Sequence, residues 1–187
     1  MNQKNISIIC IALCLILIGG YILRQNYLLE KAYKTAGIYD YIPAEKSKII
    51  LEIEQVSQID SITSRLPILR RVSPILSLWQ EILSSARLPE TSTITISFSE
   101  TGEAAIWYCM PRQKQKNLKK ILPRLISNNY RPVCETKGSI TVNHYALHNG
   151  SFLHALFAPG VTAISFESSL FREAQRTVDK LSRREQF

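Results

Sequence analysis

The sequence predicts an α+β protein: an N-terminal transmembrane helix followed by an antiparallel sheet with helices packed on one face. Three observations carry this expectation. Residues Ile6–Leu23 form an 18-residue run without a charged side chain, which at ~1.5 Å rise per residue roughly spans a bilayer core. Beyond residue 48, short segments of apolar and polar residues recur between glycine-bearing turns, the mark of hairpin strands. Between them lie stretches with apolar residues three and four apart, the mark of helices with one buried stripe. Runs of strands broken by helices favour antiparallel pairing.

The apolar run is flanked by Lys4 and Arg24, and Tyr21, Tyr27 and Tyr33 suit interfacial positions. A cleaved signal would have a core of roughly 7–15 apolar residues and small residues before its cut. The best cut here, near Gly19-Gly20, has Leu17 or Ile18 in place of a small residue. Cys10 follows Ile9 and Cys14 follows Leu13, so neither has the small residue that precedes a lipidated cysteine. The expected organisation is an uncleaved anchor with its interfacial extension over residues 1–35, a linker over 36–47 around Tyr41-Ile42-Pro43-Ala44, and an α+β domain over 48–187. Two readings of its C-terminal end stand open: a short polar tail that closes the domain, or a longer parent chain in which the last helix feeds another strand.

In chain order, Ile49 to Ile53 is expected as a first strand and Val56 to Leu66 as a helix that Pro67 stops. Ile68 to Ala86 carries the stripe Leu69, Val72, Leu76, Trp79, Ile82 and Leu83, with Pro74 forcing a kink or a fresh start. Thr91 to Ser99 alternates, placing Ile94, Ile96 and Phe98 inward and Thr95, Ser97 and Ser99 outward. Ala104 to Met110 returns from the turn at Gly102, and Lys114 to Asn128 is a helix bent at Pro123. Tyr130 to Glu135, Ser139 to Leu147, Phe152 to Ala158 and Val161 to Phe166 are four strands joined at Lys137-Gly138, Asn149-Gly150 and Pro159-Gly160. Glu167 to Leu181 is a final helix.

The chain has 23 basic and 15 acidic residues, a net +8. Residues 1–35 hold four of the bases and one acid, which leaves 19 against 14, a net +5, in the remainder. That balance permits an anionic partner without requiring one. Arg112 to Arg131 contains seven bases and no acid. Lys116, Lys119, Lys120 and Arg124 form the outer face of the helix there, which suits either plain solvation or contact with an anionic surface such as lipid headgroups. Aromatic residues are not interleaved with these bases, so nucleic acid is not an expected partner.

No phosphate-cradling glycine motif, HExxH or GxSxG occurs. Neither a cofactor nor a bound metal is expected. His144 and His148 have the spacing of a helical metal pair but fall on a strand and its turn, where that spacing does not converge. Glu52 and Glu54 share a strand face and could act as acid and base, but they read more simply as its solvent side. Cys109 and Cys134 lie on separate expected strands; in an exported domain they could form a disulfide, and in the cytosol they would stay reduced.

The N-terminal run, Tyr41-Ile42-Pro43-Ala44 before the first strand, Leu78-Trp79, and the unit Ala163-Ile164-Ser165-Phe166-Glu167-Ser168-Ser169-Leu170 together resemble an uncharacterised family of membrane-anchored exported bacterial proteins. The resemblance implies export, and it implies that members run longer than this chain. It carries no activity and no site residue. Charge alone would keep the domain in the cytoplasm, whereas the resemblance implies a single-pass inner-membrane protein with a periplasmic domain. The partners expected are the membrane through residues 6–23, anionic lipid, or an envelope protein. The function expected is a non-enzymatic binding or structural module of the envelope, with a periplasmic enzyme of unrecognised active site as the alternative.

Overall fold

The computed structural model describes residues 11–25, 27, 37–54, 67–70, 72–87, 93–126 and 130–184. Among them, β1 (Ser47–Ile53), β2 (Ile94–Ser99), β3 (Ala104–Cys109), β4 (Val133–Lys137), β5 (Ile140–Ala146), β6 (Phe152–Ala158) and β7 (Val161–Ser165) form one sheet in the order β1-β2-β3-β7-β6-β5-β4. Every pairing is antiparallel. Four longer helices accompany it, α1 (residues 11–25), α2 (Ser73–Ser85), α3 (Arg112–Ile126) and α4 (Ser169–Arg184), beside a four-residue helical turn at Pro67–Arg70 and a 3-10 turn at Ile38–Asp40. The expected helix over 56–66 lies outside the described residues.

Strand chemistry places a core on each face of the sheet. Ile106 and Tyr108 of β3, Ile164 of β7, and Leu153, Ala155 and Phe157 of β6 join Leu76, Trp79 and Leu83 of α2 and Leu118 and Leu122 of α3. The alternate residues Ala105, Trp107, Val161, Ala163, Leu156 and Ala158 face the other way, against Leu170, Phe171 and Ala174 of α4. The expectation of helices on one face is therefore corrected: the sheet is covered on both. The physical reason lies in β6 and β7, whose apolar residues run on without alternation, as strands buried on both faces require. Residues 38–42, expected within a linker, also close this second core. Ile38, Tyr41 and Ile42 are buried there, and the Tyr41 hydroxyl donates to the Pro159 carbonyl at 3.2 Å.

A transmembrane helix is likewise corrected. Among the described residues no helix is long and apolar enough to cross a membrane. The described part of the apolar run is α1, residues 11–25. Residues 6–10, which completed the expected span, lie outside the described residues.

Pro74 marks a fresh start. A separate turn, Pro67–Arg70, precedes α2, and Pro74 sits in the first turn of α2, where its missing N–H costs nothing. The β6–β7 connection is the two-residue turn Pro159-Gly160, with Gly160 at φ +75°, a backbone region that side chains disfavour.

Candidate functional site

The β7–α4 elbow is pinned to the neighbouring strand. The Ser165 hydroxyl donates to the Ala104 carbonyl at 2.6 Å and accepts from the Glu167 N–H at 3.0 Å. Leu170, Phe171 and Ala174 then bury the inner side of α4, and Phe171 meets Trp107 edge-to-face at 5.7 Å. This seating fixes which side chains face outward. Arg172, Glu173 and Arg176 line a groove of about 410 Å³ together with Glu45 and Lys46 before β1 and Glu100 and Glu103 of the β2–β3 turn.

The turn side of the groove is held by its own hydrogen bonds. Ser99 Oγ accepts from the Glu103 N–H at 3.0 Å, and Gly102 supplies φ +84°. Ser169 Oγ donates to Glu103 Oε2, tying the turn to α4. Arg176 Nη1 pairs with Glu173 Oε1 at 2.6 Å. Four carboxylates and three cations from separate chain segments thus share one open cavity. Such a surface suits a polar partner carrying both signs of charge.

Arg172 also borders a second, smaller pocket of about 140 Å³, lined further by Glu135, His144, Ser168, Phe171 and Gln175. His144 of β5 and His154 of β6 are directly opposed in register, with their Nδ1 atoms 2.5 Å apart. Phe152 stacks on the His154 ring. Burial, with His144 and then Arg172 adding to it and Glu135 opposing, pushes the His154 pKa down to about 4.

That shift has a stability consequence. The unfolded ring titrates near 6.5, so between that pH and about 4 the unfolded chain binds the extra proton. Stability is therefore full above pH 6.5 and falls as pH drops towards 4. With the half-buried ring discounted for screening, the loss is roughly 1–2 kcal/mol. Urea unfolding at pH 7 and pH 4.5 is expected to show it, and His154→Gln should shrink the difference between the two pH values. An unchanged difference in that variant would assign the acid sensitivity to other groups.

Apart from His144, the residues singled out in the sequence lie elsewhere. Cys109 and Cys134 are both free, exposed thiols. Their strands are separated by β7, β6 and β5, about 19 Å at ~4.8 Å per strand, against the ~4.4–6.8 Å between Cα atoms that a disulfide tolerates. The expected bridge is thus corrected. Maleimide is expected to modify both thiols in the native protein, Cys134 faster, because burial pushes the Cys109 thiol up. A Cys109–Cys134 cross-linked peptide in a digest would contradict the strand order.

Lys116, Lys119, Lys120 and Arg124 stand on α3, whose buried residues belong to the sheet face opposite α4. Lys116, Lys120 and Arg124 are exposed. Lys119 instead lies over the Phe157 ring, 4.5 Å from its centroid, and burial pushes its ammonium pKa down while Cys134 opposes. Only the other three form an outward basic row. Glu52 is exposed and accepts from the Tyr39 hydroxyl. His148 falls in the β5–β6 turn, away from the His144–His154 pair. Among the described residues no cluster of three or more His, Cys, Asp or Glu side chains is placed to hold a metal ion.

Sequence reasoning missed both the groove and the histidine pair. The pair had a signal: a hairpin turning at Asn149-Gly150 sets residues 144 and 154 opposite one another. The groove had none, being assembled from distant segments of ordinary polar composition. No protein-family model, curated protein or solved structure matches this chain.

Proposed function

We propose that this chain is a non-enzymatic binding module of the bacterial envelope and that it binds a polar partner through the groove along α4. The observation supporting this is the open cavity in which Glu45, Lys46, Glu100, Glu103, Arg172, Glu173 and Arg176 converge. Mixed fixed charges on a rigid seat favour recognition of a complementary charge pattern over bond-making chemistry. The envelope location rests on the resemblance to exported bacterial proteins. It is tested by fusing alkaline phosphatase after Phe187: activity in intact cells is expected, and an inactive fusion would place the domain inside.

The alternative, an enzyme, has one observation in its favour, the hydroxyl of Ser169 held by the Glu103 carboxylate. A single titration separates the two. On adding a short peptide of alternating lysine and glutamate to the isotope-labelled protein, the backbone amides of Ser99–Glu103 and Ser169–Arg176 are expected to shift. Arg176→Glu should weaken that response several-fold. Ester or peptide turnover that disappears in Ser169→Ala would overturn the binding reading in favour of the enzyme.

A further inference from the structure

The smaller pocket beside Arg172 has a chemistry of its own. Gln175 is over nine-tenths buried and lines it, and its Nε2 has no hydrogen-bond partner. A buried amide donor left this way carries a desolvation cost that a ligand acceptor would relieve. His144 Nε2 is also buried without a hydrogen-bond partner. The two facing Nδ1 atoms of His144 and His154 can share only one hydrogen between them while both rings are neutral. The acid nearest His144 Nε2, Glu135 Oε1 at 3.5 Å, favours a hydrogen on that nitrogen. His144 then accepts at Nδ1 from His154 and offers Nε2–H to the pocket. The Arg172 guanidinium, whose Nη2 reaches Ser168 Oγ at 3.4 Å, closes the rim. The pocket runs along the first two turns of the 16-residue helix α4, from Ser168 to Gln175.

We propose that this pocket binds a small oxyanion, a carboxylate or phosphate group, with Gln175 Nε2, His144 Nε2 and Arg172 donating to it. At about 140 Å³ the cavity admits one such group and little more. Glu135 is the counter-charge at the entrance. Its side chain is more than half exposed and its Oε1 lies 3.5 Å from His144 Nε2, so it can swing into solvent as the anion enters. In the free protein it holds the His144 edge in place, and it competes with the ligand.

This inference rests on reading the α4 face as a binding surface, and its test separates the two. Inorganic phosphate and acetate are titrated separately into the full chain at pH 7 by calorimetry, and the stronger of the two identifies which group the pocket prefers. Binding in the roughly millimolar range is expected, weakened about tenfold by Arg172→Gln, the loss of one charge-assisted contact. Gln175→Leu should also weaken it while leaving the thermal midpoint unchanged or higher, and Glu135→Gln should strengthen it. Arg172 is a surface residue, so its variant decides the matter even if the Gln175 variant fails to fold. Absence of binding for both anions, or binding that Arg172→Gln leaves intact, would overturn the oxyanion site. Peptide-induced shifts along the groove without anion binding would leave the binding module standing; anion binding without those shifts would do the reverse.

Discussion

Trp107→Ala is expected to destabilise the domain by about 4 kcal/mol, a large share of the roughly 5–15 kcal/mol by which such domains are stable. Trp107 is fully buried at the centre of the sheet. Its ring edge meets Phe171, and its indole N–H donates to Ser97 Oγ at 2.8 Å. Truncation opens a cavity under α4, removes the aromatic partner that seats Phe171, and leaves the buried Ser97 hydroxyl without its donor. The loss should therefore appear beyond the denaturant midpoint: hydrogen exchange along Leu170–Ala174 is expected to quicken disproportionately. Trp79→Ala provides the contrast, since Trp79 packs on Tyr108 in the core of the opposite face. A similar stability loss with α4 protection retained is expected there. Equal loosening of α4 in both variants would mean that the two cores do not act separately, and that the groove is not seated by Trp107.

The same indole explains where the sequence was legible and where it was not. The pattern Thr93 to Ser99 reads as one apolar face and one wet face, and the apolar half is right: Ile94, Ile96 and Phe98 are buried. Yet Ser97 is buried as well, because β3 brings Trp107 beside β2 and supplies its hydroxyl with a donor; Thr95 is buried too, with no hydrogen-bond partner for its hydroxyl. A hydroxyl that finds a partner is cheap to bury, and only the neighbouring strand reveals the partner. The helical stripes were legible for the opposite reason. Leu76, Trp79, Ile82 and Leu83 are all buried, since their spacing within α2 puts them on one side; Leu69 and Val72 are buried too, ahead of the fresh start at Pro74.

Topology decides the remainder. The meander β4–β5–β6–β7 ends by laying β7 beside β3, which places Cys134 on the far edge and strands it from Cys109. Strand existence is local; strand order depends on which apolar run can be covered on both faces, and β6 and β7 are the best suited. The groove along α4 obeys the same logic. Glu103, Ser169 and Arg172 are unremarkable singly, and only the pairing of β3 with β7 brings the turn at residues 99–103 alongside the start of α4.

Gln115→Met is expected to cost about 2–3 kcal/mol, the net worth of two buried amide hydrogen bonds plus the desolvation they compensate. Gln115 lies on the inner side of α3 and is almost fully buried, an unusual place for an amide in a helix otherwise basic outside and aliphatic inside. Its Nε2 donates to the Ala158 carbonyl at 2.8 Å and to the Val161 carbonyl at 2.9 Å, one on each side of the Pro159-Gly160 turn. The amide thus clamps α3 to the β6–β7 hairpin, and the Met110 N–H adds a third tie to the same turn at the Gly160 carbonyl, 2.7 Å away. Methionine keeps the volume and removes both donors, so packing stays nearly constant and the measured loss reports the hydrogen bonds. Urea unfolding should show a lower midpoint with an unchanged slope. A change below about 0.5 kcal/mol would put Gln115 among substitutions of no structural consequence, and the tie between α3 and the turn would then have to come from apolar packing of Leu118 and Leu122 alone.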